Sequence, residues 1–185
     1  MNASQLDALL SAHIPGDERE SAHLARTLRL VRSSPEPFSR SQIDPGHITA
    51  SAFVLSPNGT ELLLIFHPFL RLWLQPGGHL EVGDGDVGAA ARREVAEETG
   101  LIDVVADPNW PGLLDVDVHD IPANPKKGEG PHAHFDCRVL LRATTRQLGG
   151  GLDDHAARWV ALDQVQDAGT DDSVRRAVNK LLERR

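Results

Sequence analysis

The sequence predicts an α/β (α+β) fold, in which a mixed sheet is layered with a small number of helices. Apolar residues recur at the three-to-four spacing of helices in 4–13 and 18–32. The period then changes, because 47–56 and 61–66 are strand-like runs separated by the turn sequence PNGT. A third strand candidate, 132–143, alternates polar and apolar residues. Strands interleaved with few helices favour a layered domain over a helical bundle.

The central helix is expected over 86–99. Asp86 is a suitable N-cap residue, and Gly100 stands where helices commonly end. The remaining predicted elements are a short strand at 70–74, strands at 112–119 and 157–162, and a terminal helix at 171–184.

Composition limits the function classes. The chain has 185 residues, a length typical of one domain, and a net charge of −8 without a basic run, so a nucleic-acid partner is not expected. The single cysteine, Cys137, excludes an internal disulfide and a four-cysteine zinc site. Because the sequence has neither a signal peptide pattern nor the roughly 20 consecutive apolar residues of a membrane helix, we expect a cytoplasmic protein without a membrane partner.

Three glutamates of the central helix point to metal chemistry. At 100° per residue, Glu94, Glu97 and Glu98 fall within roughly 100° of one another, where their charges repel. Arg93 can neutralise one of them, and a divalent cation can neutralise the others. Oxygen ligands favour Mg²⁺ or Mn²⁺ over zinc. A solvated helix face with a salt bridge is the simpler alternative, but the preceding turn, PGGHLEVGD, brings further backbone oxygens close to the acids.

This segment resembles the Nudix box of the Nudix hydrolases, which reads Gly, five residues, Glu, seven residues, then Arg-Glu-apolar-x-Glu-Glu-x-Gly-apolar. The second half matches fully from Arg93 to Leu101. In the first half, counted from Gly78, Asp84 stands where the family has Glu, and eight residues separate it from Arg93. We interpret this as a one-residue insertion, with Asp84 or Asp86 taking the role of the missing Glu.

The resemblance covers about 45–165 and also includes TASAFVL, WLQPGGH and ARWVALDQV. It implies a Nudix-type α/β/α sandwich with a mixed sheet. We therefore expect 1–185 to be a single Nudix domain, with a helical N-terminal arm at 1–35, outside the resemblance, and a C-terminal helix at 171–184.

The resemblance also implies roles for individual residues. The metal ligands would be helix glutamates and a turn carbonyl: Glu94, Glu97, Glu98, and Gly77 or Gly78. Arg93 would orient the glutamates, and Glu97 or Glu98 would be the general base. The implied reaction is metal-dependent hydrolysis of a phosphoanhydride bond in a nucleoside diphosphate linked to another moiety, with Mg²⁺ or Mn²⁺ as cofactor. The expected partner is a small nucleotide-type diphosphate substrate. A homodimer is a further possibility.

Three other functions are alternatives to hydrolysis. A non-catalytic Nudix-fold nucleotide sensor usually has a degraded glutamate triad or an attached DNA-binding domain, and neither is evident. An isopentenyl-diphosphate isomerase needs a cysteine in an early strand, whereas the only cysteine is Cys137. A structural metal-binding module would bind metal without turnover.

A second polar cluster lies on the strand at 132–143. His132, His134 and Asp136 share one side of this strand, while Phe135 and Cys137 share the other. We expect the polar row to face the substrate's phosphates, where a protonated histidine would add positive charge. An ordinary water-facing strand is the alternative. Two histidines on one strand face could also bind zinc, although the chain has no second His-x-His pair to complete such a site.

The other candidate residues are outside the box helix. The expected substrate contacts also include His79, beside the glycine turn, and the loop residues Lys126 and Lys127. Trp73 and Trp159 are interpreted as core packing rather than base stacking. The loop residues Asp153, Asp154 and His155 are a weaker candidate for a general base.

Overall fold

A mixed eight-stranded sheet forms the centre of the computed structural model, which describes residues 1–123, 130–151 and 156–184. The helices of this described part are α1 (Ala3–Ser11), α2 (Glu18–Ser33), α3 (Val87–Thr99) and α4 (Asp172–Glu183), with a 3₁₀ turn at Leu162–Asp167. Its strands are β1 (Gly46–Leu55), β2 (Glu61–His67), β3 (Leu72–Leu74), β4 (Gly77–His79), β5 (Val104–Ala106), β6 (Leu113–Ile121), β7 (His132–Ala143) and β8 (Ala157–Ala161).

The sheet is organised around one parallel pair. Strands β1 and β7 run side by side from Gly46 opposite Ala133 to Leu55 opposite Arg142. The order through the sheet is β3-β2-β1-β7-β5. Three further strands pair outside this order: β4 with β1, β6 with β7 and β8 with β2. Each of these three pairs is antiparallel. Strand β4 pairs with residues 49–51 of β1, with Ser51 opposite Gly77 and Thr49 opposite His79.

Helices cover both faces of the sheet. Alternate residues of β1 and β7, such as Ala50 and Cys137, pack in one core with buried residues of α1, α2 and α3. The residues between them, such as Phe53 and Leu140, pack in a second core with Val174 of α4. This alternation fixes which side chains of β7 lie on the side of the sheet that carries α3.

Helix α2 covers the outer edge of β6. The amide of Val116 donates to Oε1 of Glu20 at 3.2 Å, and that of Val118 donates to Nδ1 of His23 at 3.1 Å. Side chains of α2 thus take hydrogen bonds that an edge strand would otherwise offer to water or to another chain. Glu20 also accepts from Nζ of Lys180, on α4, at 2.7 and 2.8 Å. The N-terminal helices, predicted as an arm, therefore belong to the core.

Most predicted elements are confirmed within two or three residues, including both N-terminal helices and the strand at 132–143. Strand β4 was not predicted, because Pro76-Gly77-Gly78 is interpreted as the end of the strand at 70–74, and β5 was not predicted either. In the described residues, none of the helices combines the length and the apolar character that a bilayer crossing requires.

The N-cap of α3 gives a first prediction. Oδ1 of Asp86 accepts from the amide of Ala89 at 2.7 Å, as the sequence predicted. Asp86→Ala should lower the free energy of unfolding by about 1 kcal/mol because a helix cap is lost. Asp86→Asn is the matched control, since asparagine caps equally well and should stay near the wild type. Urea denaturation of both variants tests this, and a large loss of turnover at unchanged stability would contradict a structural role.

The buried carboxylate of Glu20 gives a second prediction. Burial raises its pKa, but hydrogen bonds from His13 and Lys180 outweigh burial and lower it from 4.5 to about 2. A depressed carboxyl pKa stabilises the fold above pH 4.5, and that contribution, about 3 kcal/mol at most, is lost as the pH falls towards 2.

Glu20→Gln should therefore be less stable than wild type at pH 7 and should lose less stability on acidification. Glu18→Gln, on the exposed side of the same helix, is the control. Free energies of unfolding would be measured at pH 7, 4.5 and 2.5. Parallel pH curves for wild type and Glu20→Gln would show that this carboxylate is not the titrating group.

Candidate active site

Helix α3 carries the three glutamates at the edge of the α3-side core. Val87, Ala91 and Val95 are buried in that core and fix the rotation of the helix. Because the glutamates lie beside this buried stripe on the helix surface, they are at the border between core and solvent. The side chain of Glu97 is 33% exposed, whereas Glu98 is only 7% exposed.

Arg93 holds two of these carboxylates together. Its Nη1 donates to Oε1 of Glu94 and to Oε2 of Glu97, each at 2.9 Å. Nη2 donates to the carbonyl of His79 at 2.8 Å and to Oδ2 of Asp84 at 3.1 Å. Burial lowers the pKa of Arg93, but the bonds to Asp84 and Glu94 outweigh it and raise the pKa above its usual range. These ion pairs with Glu94 and Glu97 are the contacts through which the resemblance expects Arg93 to orient the glutamates.

The two aspartates of the inserted loop have separate roles. Asp84 is buried, accepts from the amide of Glu81 at 2.8 Å and contacts Arg93. Burial raises the pKa of Asp84, yet the hydrogen bond from Arg93 outweighs burial and lowers it. Asp86 caps α3. Asp84 thus anchors Arg93 at the position where the family pattern has Glu, and Asp86 starts the helix.

The glycine turn lies directly against the glutamates. The amide of Gly77 donates to Oε2 of Glu98 at 2.9 Å. A Cβ on Gly78 would come within 2.5 Å of Oε1 of Glu94, so any side chain there would displace that carboxylate. The carboxylates and the turn form an all-oxygen donor set suited to a hard divalent cation such as Mg²⁺ or Mn²⁺.

Asp136 was predicted to face the substrate, and this was wrong. Its side chain is buried, and the residue is only 3% exposed. Its carboxylate accepts from Oγ1 of Thr49 at 3.2 Å, Oγ of Ser51 at 2.7 Å and Nε of Arg138 at 3.0 Å. With its oxygens engaged inside the protein, Asp136 is part of the framework.

Arg138 extends this buried network to helix α4. Its guanidinium pairs with Asp115 at 3.2 Å and Asp117 at 3.3 Å, and Nη2 donates to Oγ of Ser173 at 2.9 Å. Arg176, on α4, reaches the same two aspartates at 2.7 and 3.0 Å. Asp136 and Arg138 are both buried, so the alternative of a water-facing strand does not hold for this part of β7.

Five histidines gather at the end of the same sheet face. His134 is surrounded by four other rings, with centroids 5.0–5.6 Å away: His47, His79, His119 and His132. Burial and the four neighbouring histidines lower the pKa of His134 to about 2, so this ring is neutral and cannot supply the expected positive charge.

This histidine cluster does not share a face with α3. Ala133 and Phe135 pack in the core that contains Val95 of α3, so alternation directs His132 and His134 to the opposite face. Contact between these two histidines and phosphates held on α3 is therefore not supported. The predicted contacts of Lys126 and Lys127, and the loop candidates Asp153, Asp154 and His155, lie outside the described residues.

His79 contacts both the glutamate site and the histidine cluster. Its carbonyl accepts from Arg93, while its ring lies 5.1 Å from His47 and 5.0 Å from His134 between centroids. His47 was not among the predicted site residues, although it lies on the same side of β1 as Thr49 and Ser51. Its partner in the sheet, His134, is far away in the chain, so only the strand pairing reveals the contact.

Trp73 and Trp159 pack against the cores as partly buried residues, as predicted. The guanidinium carbon of Arg158 lies 3.9 Å from the ring centre of Trp73. Nε1 of Trp159 donates to the carbonyl of Arg146 at 3.1 Å. Cys137 is buried on the apolar side of β7, also as predicted, and burial raises the pKa of its thiol.

Comparisons with known structures agree with this architecture. The crystal structure of a NUDIX-family hydrolase from Clostridium perfringens has a TM-score of 0.54 and 22% identity, covering 74% of this chain and 97% of that chain. The dihydroneopterin triphosphate pyrophosphohydrolase of E. coli has a TM-score of 0.57 and 15% identity, covering 75% and 96%. At these identities the likeness shows the fold.

Sequence comparison shows the family. A protein from Lactococcus lactis subsp. cremoris, named "Probable DHNTP pyrophosphohydrolase", is 35% identical over 119 residues, which are 64% of this chain and 67% of that protein. Residues 45–181 match the family profile described as the NUDIX domain. The chain belongs to the Nudix hydrolase family.

Proposed function

We propose that this Nudix hydrolase cleaves a phosphoanhydride bond in a nucleoside diphosphate linked to another moiety, with a divalent metal ion as cofactor. The observation that carries this proposal is the pairing of Arg93 with Glu94 and Glu97 beside the glycine turn. Nudix hydrolases generally use divalent ions, and the oxygen donors present here fit Mg²⁺ or Mn²⁺. Glu94, Glu97 and Glu98 would hold the ion, with a carbonyl of Gly77 or Gly78.

The metal and the protein make different contributions. When bound, a divalent cation offsets the negative charge of a diphosphate and lowers the pKa of bound water. Arg93 keeps two carboxylates in position and is itself fixed by Asp84 and the carbonyl of His79. Positioning of this kind reduces the reorganisation needed when the substrate arrives. Gly78 leaves the space beside Glu94 unobstructed.

Glu97 is the better of the two candidates for the general base. The side chain of Glu97 is 33% exposed, so water can reach it, whereas Glu98 is only 7% exposed and accepts a hydrogen bond from Gly77. A base must lie within reach of the water that it deprotonates. Glu98 then serves as a metal ligand and also attaches α3 to the turn. His79 is the proposed substrate contact nearest to this site, since its backbone already touches Arg93.

The identity of the group attached to the nucleotide requires a substrate screen. The name of the Lactococcus lactis relative suggests dihydroneopterin triphosphate as one substrate of this screen. The other substrates would be nucleotide sugars, dinucleoside polyphosphates, NADH, ADP-ribose, CoA and modified nucleoside triphosphates.

Chelation provides a third prediction. Release of phosphate or pyrophosphate from the best substrate should fall to background in excess EDTA and return when Mg²⁺ or Mn²⁺ is added above the chelator concentration. Calcium, which is a hard cation of larger radius, serves as the comparison ion. Undiminished turnover in EDTA would refute metal dependence, and absence of turnover of every substrate with either ion would favour a binding protein.

Substitution of the proposed base provides a fourth prediction. Glu97→Gln should lower kcat by about 10²–10⁴, as loss of a general base does. Because the side chain of Glu97 forms an exposed-type i,i+4 ion pair with Arg93 among the residues that the structure describes, the metal-free variant should differ from wild type by about 0.5 kcal/mol at most in unfolding free energy.

Glu81→Gln is the matched control for this variant. The side chain of Glu81 is 67% exposed and lies 4.0 Å from Arg93, at the edge of the same site. Its kcat should stay within about threefold of wild type. If Glu97→Gln retains wild-type kcat, Glu98 becomes the residue to substitute next and Glu97 is not the base.

A further inference from the structure

Three imidazoles of the histidine cluster converge. Among the residues that the structure describes, His47, His132 and His134 form a group whose candidate ligand nitrogens all lie within 4.8 Å of one another. Nε2 of His132 and Nε2 of His134 are 3.3 Å apart. Two of these histidines are visible as a pair in the sequence of β7, and the third ring comes from β1, the parallel partner of that strand.

The hydrogen bonds of two rings determine which nitrogen each presents. Nδ1 of His47 lies 3.0 Å from the carbonyl of Gln42, and Nδ1 of His132 lies 2.9 Å from the carbonyl of Gly130. A carbonyl can only accept, so Nδ1 carries the proton in both rings, and in a neutral ring the lone pair is then on Nε2. This pattern is typical of metal-binding histidines, whose second nitrogen donates to a backbone carbonyl or a carboxylate.

The backbone keeps the rings in this arrangement. His47 and His134 are directly opposite each other in the β1–β7 ladder. Gly46, with a φ of 129°, passes so close to β7 that a Cβ would lie 1.9 Å from the carbonyl of Ala133. Nε2 of Gln42 donates to the carbonyl of Gly46 at 2.8 Å, which fixes the segment that orients the His47 ring. The group is therefore preorganised by main-chain contacts.

We propose that His47, His132 and His134 bind one divalent transition-metal ion of the zinc class through Nε2. A tetrahedral zinc ion with Zn–N bonds of about 2.0–2.1 Å separates its ligand nitrogens by about 3.3–3.4 Å. The pair His132–His134 already has this separation, and a small rotation brings His47 closer. Three protein ligands leave the fourth position for water or an incoming ligand.

The chemistry of this site differs from that of the glutamates. Neutral imidazole suits zinc, copper and nickel, whereas carboxylate and carbonyl oxygens suit magnesium and manganese. The ion has a path of entry because His132 and His134 are only half-buried, while His47 is buried. The proposal is independent of the hydrolytic activity, since it rests on residues of β1 and β7 on the face away from α3.

Metal titration of the full chain tests the proposal. Chelator-treated protein should bind one Zn²⁺ with a dissociation constant of about 1 μM or tighter by calorimetry, and Co²⁺ should give the visible absorption of a four-coordinate ion. His47→Gln and His132→Gln should each weaken Zn²⁺ binding by about 100-fold or more.

Two control variants separate this site from its surroundings. His119→Gln removes a ring of the same cluster that lies outside the three-ligand group and pairs with Asp117 at 3.2 Å. Glu97→Gln alters the glutamate site. Both should keep Zn²⁺ affinity within about threefold of wild type. If His47→Gln and His132→Gln also keep it, the proposal is wrong.

Folding and ligand identity are checked directly. Circular dichroism establishes whether each variant is folded before its affinity is interpreted. X-ray absorption at the zinc edge of the wild-type protein, which requires no variant, should show about three imidazole ligands. A wild-type protein that binds no Zn²⁺ below about 100 μM, or a zinc spectrum without imidazole scattering, would overturn the proposal.

Discussion

The parallel pairing of β1 and β7 is the constraint on which the rest of the structure depends. Ten consecutive residues of β1, from Gly46 to Leu55, are paired with β7 in one register. Because side chains alternate, a shift of one residue would exchange the apolar and polar faces of the pair. In the observed register Ala50 and Cys137 face α3 together, while Thr49 and Asp136 meet on the other side. The same register that buries the apolar residues under α3 also brings histidines of two strands together.

Buried charge is balanced by arginines on both sides of the sheet. Arg138, 1% exposed, is surrounded by Asp115, Asp117 and Asp136, and Arg93 is surrounded by Glu94, Glu97 and Asp84. A desolvated charge without a partner costs several kcal/mol, so in each place the acids and the guanidinium are needed together. The two networks differ in their access to solvent. Arg138 is sealed under α4, whereas the carboxylates around Arg93 reach the surface, where a cation can compete with the guanidinium.

The sequence predicted features that depend on nearby residues and missed those that depend on distant ones. Helix α3 was predicted because its cap, its apolar stripe and its acidic face all lie between Asp86 and Gly100. The alternation of β7 was also predicted, but a pattern within one strand cannot show what covers the polar side. Ser51, Asp115 and Arg176 make that side a buried network, and their positions follow only from the assembled sheet. The short strand β4 was missed for the same reason, because its hydrogen bonds are made to β1 and its glycines suggest a turn.

Strand β4 explains how one small fold can keep two donor sets apart. Its glycines lie against the glutamates, with the Gly77 amide on Glu98, while the ring of His79 turns to the histidine cluster. Oxygen donors therefore collect on the α3 side and nitrogen donors on the other. Zinc binds most nitrogen and oxygen sites more tightly than magnesium does, so a protein that uses a hard cation benefits when its imidazoles do not complete the carboxylate site. The alternation of β1 and β7 provides that separation, because a side chain of His47 or His134 cannot reach the α3 face without a change of register.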